Sequence, residues 1–134
     1  MDTTSYSQGV KEVLMFSREE AIRLGNNYIG PEHLLLGILR GGEGLAIDIL
    51  KHLQVDLKYV KDTLDDKLSS DASAISSSTN EIPLIKSTEK ILKLMALEAR
   101  LYKSQILETE HLLLAIMKDN ANIAAQVLLS ENVT

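Results

Sequence analysis

The sequence predicts an all-α protein built from two pseudo-twofold-related four-helix repeats, the second stopping before its last helix. Three observations predict it. Glu-His-Leu-Leu-Leu occurs at Glu32–Leu36 and again at Glu110–Leu114, an offset of 78 residues. The same offset aligns Glu20-Ala21 with Glu98-Ala99, Val13-Leu14 with Ile91-Leu92, Ile38 with Ile116, Ala46 with Ala124 and Leu50 with Leu128. Apolar residues also recur at three- and four-residue spacings, the period of an amphipathic helix. An internal repeat of this kind means one helical unit used twice, which favours a binding module over a single active-site fold.

Each element has a local reason. Ser7 is a good cap for a first helix, whose apolar or small stripe is Val10, Val13, Leu14, Ser17, Ala21 and Leu24. Gly25 suits the left-handed end of that helix. Pro31 suits the first position of a second helix, from about Pro31 to Arg40, because its missing N–H would be unpaired there anyway. Leu34, Leu35, Leu36, Ile38 and Leu39 make this helix apolar nearly all round, which places it inside the core. Gly41-Gly42-Glu43-Gly44 reads as a tight interhelical turn, and a third helix follows from about Leu45 to Leu53. Asp56 caps a fourth, with Leu57, Val60, Leu64 and Leu68 facing inward.

Repeat one therefore covers residues 1–68, and residues 69–86 form a serine-rich connector. Repeat two covers 87–134. Ser87 is expected to cap the fifth helix, whose stripe is Ile91, Leu92, Met95, Ala99 and Tyr102. A sixth helix is expected at about Thr109–Lys118 and a seventh at about Ala121–Leu129. Thr134 aligns with Asp56, the cap of helix four, so repeat two lacks its fourth helix and the chain reads as a fragment of something longer. Leu128, Leu129 and Val133 are then expected to form an exposed apolar patch.

Composition narrows the functional classes. Hydrophobic residues make up 45% and charged residues 25% of 134, an ordinary globular balance. There is no cysteine, which excludes disulfides and thiolate metal sites and is compatible with a reducing cytoplasm. A net charge of −5 argues against a nucleic-acid partner, which needs a basic face, and permits basic or arginine-bearing peptides. No apolar run reaches the length of a membrane span, and the N-terminus lacks the basic start of a signal peptide. No Gly-x-x-x-x-Gly-Lys-Ser/Thr loop is present to cradle phosphates. No Ser/His/Asp or paired-carboxylate arrangement assembles, so no catalytic residue and no metal ligand is assigned.

The segment from Ser17 to Ala46, with Glu98-Ala99-Arg100 and Glu110–Ile116, resembles the N-terminal repeat domain of the Clp (Hsp100) AAA+ unfoldases and is most similar to the ClpC type. The resemblance covers nearly the whole chain. It implies an eight-helix pseudo-twofold domain on a mobile linker, binding adaptor proteins and protein substrates for an ATPase ring that feeds a peptidase chamber. ATP and magnesium would belong to that ring and not to this chain.

The resemblance also assigns residues. Glu32 and Glu110 match glutamates that receive the guanidinium of phosphorylated arginine, and a carboxylate suits that planar group because it accepts two parallel hydrogen bonds. Ser7 matches a threonine on the phosphate side of repeat one, where a helix N-terminus presents N–H groups. In repeat two the same offset gives Ile85, which has no hydroxyl, so Ser87 and Thr88 stand in and the Glu110 pocket departs from the pattern. His33 and His111 are expected as buried histidines donating to backbone carbonyls. Met15, Met95 and Met117 are expected as core fillers, and Arg40 and Lys118 as favourable charges at helix C-termini. The leading expectation is a client- and adaptor-binding domain of a ClpC-like unfoldase. The rivals are a stand-alone regulatory protein with the same repeat and, remotely, a small hydrolase.

Overall fold

The computed structural model describes residues 5–42, 44–69, 84–101, 103, 106–118 and 122–130. Within them the chain runs β1 (Ser5–Tyr6), α1 (Gln8–Arg23), α2 (Pro31–Gly41), α3 (Leu45–His52), α4 (Leu57–Ser69), α5 (Lys86–Leu101), β2 (Ile106–Leu107), α6 (Thr109–Lys118) and α7 (Ile123–Ser130). The connector expected at 69–86 falls mostly on 70–83, outside the described residues.

Each repeat is built around a closely packed helix pair, α1 on α2 and α5 on α6. The two near-continuous apolar helices lie at the centre, as their composition requires. Leu34, Leu35, Leu36 and Ile38 of α2 are buried, as are Leu112, Leu113 and Ile116 of α6. They share one core with Leu50, Val60, Leu64, Leu68, Ile91, Met95 and Leu128. α4 lays Val60, Leu64 and Leu68 against α2 and α7.

The α1–α2 contact is the closer of the two. A Cβ at Gly37 would lie 2.5 Å from the Val13 carbonyl oxygen and 2.6 Å from Ser17 Oγ, so the two backbones meet there. Ser17 fits by turning its hydroxyl back to donate to Val13 O at 2.7 Å. Repeat two has Met95 and Ala115 at these positions, and its helices need more room.

What joins the repeats is a feature that the helical period does not announce. β1 and β2 pair in parallel, Tyr6 opposite Leu107, and Ile29 forms a parallel bridge with Leu84. Under the 78-residue offset Tyr6 corresponds to Leu84 and Leu107 to Ile29, so the second bridge is the first with the repeats exchanged. The hydrogen bonds follow suit: Ser7 N–H donates to Leu107 O at 2.8 Å, and Ile85 N–H to Ile29 O at 3.3 Å. These crossed pairs are direct evidence of the approximate dyad.

Several expectations need correction. Ser87 does not cap α5; the helix starts at Lys86, and Ile85 takes the cap position, its carbonyl accepting from Thr88 and Glu89 N–H. Leu128 is fully buried, whereas Leu129 is 39% exposed. Val133 and the side chain of Tyr102 lie outside the description. Met95 is core and Met117 half-buried, but Met15 is 42% exposed, because its position on α1 turns away from α2. Ser7 and Asp56 do cap as expected, accepting from Val10 N–H at 3.2 Å and from Tyr59 N–H at 3.1 Å. Asn122, which sequence reasoning passed over, caps α7 through Ala125 N–H at 2.7 Å. No single helix among the described residues is long and apolar enough to cross a membrane.

Candidate functional site

Two parallel strands that each run directly into a helix bring the two helix starts side by side. β1 leads into α1 and β2 into α6, so Ser7 and Gly9 come to face Glu108, Thr109 and Glu110. Between them lies a groove of about 430 Å³, closed on its other flank by Glu12, Val13, Gly41, Gly44 and Leu45. Thr109 forms its back wall. It is buried, its hydroxyl accepts from Ala46 N–H at 3.3 Å, and a Cβ at Gly44 would sit 2.9 Å from that oxygen.

This groove pairs Ser7 with Glu110, a residue of the other repeat. Glu32, which belongs to the same repeat as Ser7, does not line this groove. The charged side chains lining the groove are Glu12, Glu108 and Glu110, and the helix starts supply backbone N–H groups. Such a wall suits a cationic group that also presents hydrogen-bond donors, as a guanidinium does.

Glu32 has different surroundings. It is 8% exposed, at the start of α2 beside the Ile29–Leu84 bridge. Ile85 stands where Ser7 stands in the first groove. Thr88 is buried and donates its hydroxyl to Ile29 O at 2.8 Å, a bond that ties α5 to the loop before α2. Ser87 lies half-buried in the first turn of α5.

The paired histidines are buried, and each uses Nδ1 as an acceptor for the N–H at its helix start; His33 gives its other nitrogen to a side-chain amide in place of the expected backbone carbonyl. His33 Nδ1 accepts from Gly30 N–H at 2.8 Å, and its Nε2 lies 2.8 Å from Asn26 Oδ1. Nδ1 is thus the unprotonated nitrogen, and Nε2–H donates to Asn26, whose amide donates to Leu68 O at 3.0 Å. His111 Nδ1 accepts from Glu108 N–H at 2.9 Å in the same way. Each histidine makes the reach-back half of a capping box from the third helical position, where glutamate or glutamine more often serves. Burial pushes His33 down to about 4, against a smaller upward pull from Glu20, so the ring is neutral. A neutral ring spent on two structural hydrogen bonds is no general base. Among the described residues, no three His, Asp or Glu side chains gather at metal-ligating spacing.

Arg40 and Lys118 do more than meet helix dipoles. Glu20, 6% exposed in its side chain, holds Arg23 at 2.8 Å and Arg40 at 3.5 Å. Glu98, 7% exposed, holds Lys118 at 3.1 Å. Arg40 also lies over the Phe16 ring at 4.7 Å and pairs with Glu19 at 2.7 Å. The Glu20-Ala21 and Glu98-Ala99 match carried this signal, because a carboxylate kept on the inner stripe of both repeats requires a cation. A second hollow, of about 460 Å³, has Leu36, Leu39 and Leu57 on its floor and Arg23, Arg40, Lys58 and Lys61 at its rim. These four cations are held in ion pairs, and the hollow is a seam between α2 and α4.

Fold and groove together define a duplicated all-α interaction module, each half lending the other one side of a groove. Residues 5–131 match the Clp repeat (R) N-terminal domain family, and the chain belongs to it. Over 123 residues, 92% of this chain, it is 36% identical to the ATP-dependent Clp protease ATP-binding subunit ClpA homolog of Cyanidium caldarium and covers 14% of that protein. It is 35% identical to the chaperone protein ClpB of Oceanobacillus iheyensis, with the same 92% of this chain and 15% of that protein covered. The chain thus spans about one seventh of the length of these curated relatives. The N-terminal domain of the chaperone ClpD from Arabidopsis thaliana has the same fold, with a TM-score of 0.64, 22% identity, and 96% of this chain and 86% of that one covered. Domains of this family are non-catalytic, protein-binding parts of Clp/Hsp100 ATPases.

Proposed function

We propose that this chain is the client- and adaptor-binding domain of a ClpC-like unfoldase, which gathers proteins beside an ATP- and magnesium-dependent ring that unfolds them and passes them to a peptidase chamber. Its work is recognition without covalent chemistry. A tethered module of this kind raises the local concentration of a client, and modest affinity suits a client that must be released.

The observation that carries this reading is the groove shared by Ser7 and Glu110. An arginine side chain entering it would offer its guanidinium to Glu110, with Glu108 and Glu12 close by. If that arginine were phosphorylated, its phosphoryl oxygens would meet the Ser7 end of α1, where backbone N–H groups point outward. Binding therefore uses one carboxylate and one helix start, drawn from different repeats.

Calorimetric titration with an arginine-containing peptide and with phosphoarginine tests the reading. We expect heat from at least one of them, and a loss of that heat in Glu110→Gln. A domain that binds neither probe, and retains neither an adaptor nor an arginine-phosphorylated client on a column, is not such a module.

A further inference from the structure

We propose that the two pseudo-equivalent grooves have diverged, so that only the Ser7–Glu110 groove admits a client side chain while its Glu32 counterpart has become a packing joint. This rests on the reading of the Ser7–Glu110 groove given above, and adds that the duplicated domain is monovalent.

The dyad allows the two places to be compared position by position. Where the first groove has Ser7, Glu12, Glu108 and Thr109, its counterpart has Ile85, Lys90, Gly30 and Pro31. Four changes alter its chemistry. Ile85 replaces the capping hydroxyl with a branched apolar side chain, and α5 has no side-chain cap at that position. Lys90 reverses the charge of Glu12, which disfavours a guanidinium. Gly30 supplies no carboxylate where Glu108 does, and Pro31 has no hydroxyl and no N–H to offer.

The backbone at Gly30 is also closely surrounded. A Cβ placed at Gly30 would lie 2.8 Å from Glu32 Oε1, 3.2 Å from Tyr28 Cε2 and 3.5 Å from Ile85 Cδ1, so these three side chains converge on the Gly30 backbone. Tyr28 is itself fixed edge-on against His33, 5.3 Å between ring centres. Thr88, one of the two hydroxyls in the first turn of α5, is committed to Ile29 O. Glu32 is therefore held within the fold at 8% exposure, whereas Glu110 is only half-buried and lines an open groove.

The test is the stoichiometry of this 134-residue chain with phosphoarginine and with a short peptide bearing one unmodified arginine. We expect a single site. Glu110→Gln should weaken it by roughly tenfold or more, the scale of a lost charge-assisted contact, and Glu32→Gln should leave it unchanged. Because Glu32 is buried and its variant could unfold, amide chemical-shift mapping on the unaltered chain gives a second readout. Shifts should centre on Ser7–Glu12 and Glu108–Glu110 and leave Gly30–Glu32 and Ile85–Lys90 unmoved. Two equivalent sites, or shifts of equal size at both places, would overturn the divergence while leaving the client-binding reading intact. No binding of either probe would remove both.

Discussion

The Ser7 amide donates to the Leu107 carbonyl, 2.8 Å away, and this bond sets the start of α1 beside the start of α6. Ser7 acts twice, through this amide and through the hydroxyl that caps α1. Ser7→Ala keeps the first role and loses the second, so it should cost about 1 kcal/mol, the usual worth of such a cap. Urea denaturation would measure this. Ser7→Gly should recover most of the loss if capping is its cause.

Gly37 should not tolerate a side chain. In Gly37→Ala the added methyl meets the Val13 carbonyl, which is backbone, and Ser17 Oγ, which is held by its bond to that carbonyl, both inside ordinary contact distance. A loss of about 1–3 kcal/mol is expected from forcing α1 and α2 apart. The pseudo-equivalent Ala115 already carries that methyl, and Ala115→Gly should cost about 1 kcal/mol through helix propensity alone. Equal losses at the two positions would show that the two helix pairs do not differ in closeness.

His33 makes stability depend on pH. Its folded value of about 4 lies below the ordinary 6.5, so above pH 6.5 the ring is neutral in both states and its contribution is complete. As pH falls from 6.5 towards 4 the unfolded chain takes a proton that the folded chain refuses, and stability falls with it. The full window amounts to about 3 kcal/mol. His33→Gln should be less stable at pH 7, and its stability should change less between pH 6.5 and 5. Parallel curves for the two proteins would contradict this.

The two buried carboxylates should respond unequally to losing a cation. Glu20 keeps Arg23 when Arg40 is replaced, whereas Leu101 stands in Arg23's place in repeat two. Lys118→Met should therefore destabilise more than Arg40→Met, by about 1 kcal/mol, because it strips the near-buried Glu98 of the lysine that faces it. Lys118 is 56% exposed, and water screening keeps the difference to that scale. Thermal melts of both variants, with Glu98→Gln as a rescue of Lys118→Met, would decide it.

The helices were legible because their apolar stripes have a period and their starts carry recognisable residues, Ser7, Pro31 and Asp56 among them. The crossed strands were not legible. Two residues are too few to show alternation, and their pairing is set by tertiary contact. With them went the partnership of Ser7 with Glu110, which no spacing within one repeat could suggest. The start of α5 departs from the sequence expectation for a different reason. Ser87 is the better cap by side chain, but the bridge at Leu84 and the bond from Ile85 to Ile29 fix the chain two residues earlier. The repeat itself held that answer, since Ile85 is the residue that aligns with Ser7. The burial of the histidines is legible from the three leucines that follow each; the acceptor role of Nδ1 is not, because it depends on imidazole at the third helical position reaching back to the preceding N–H.

The exchanged bridges also bear on ancestry. A single copy of this unit would expose one unpaired strand before its first helix and another before its second, and the natural mate for both is the same unit turned about a dyad. The present domain is in that sense a tethered homodimer, and the tether has freed its two halves to specialise separately. Severed between Ser69 and Leu84, the pieces should still find and complete each other, as the parts of a split protein do.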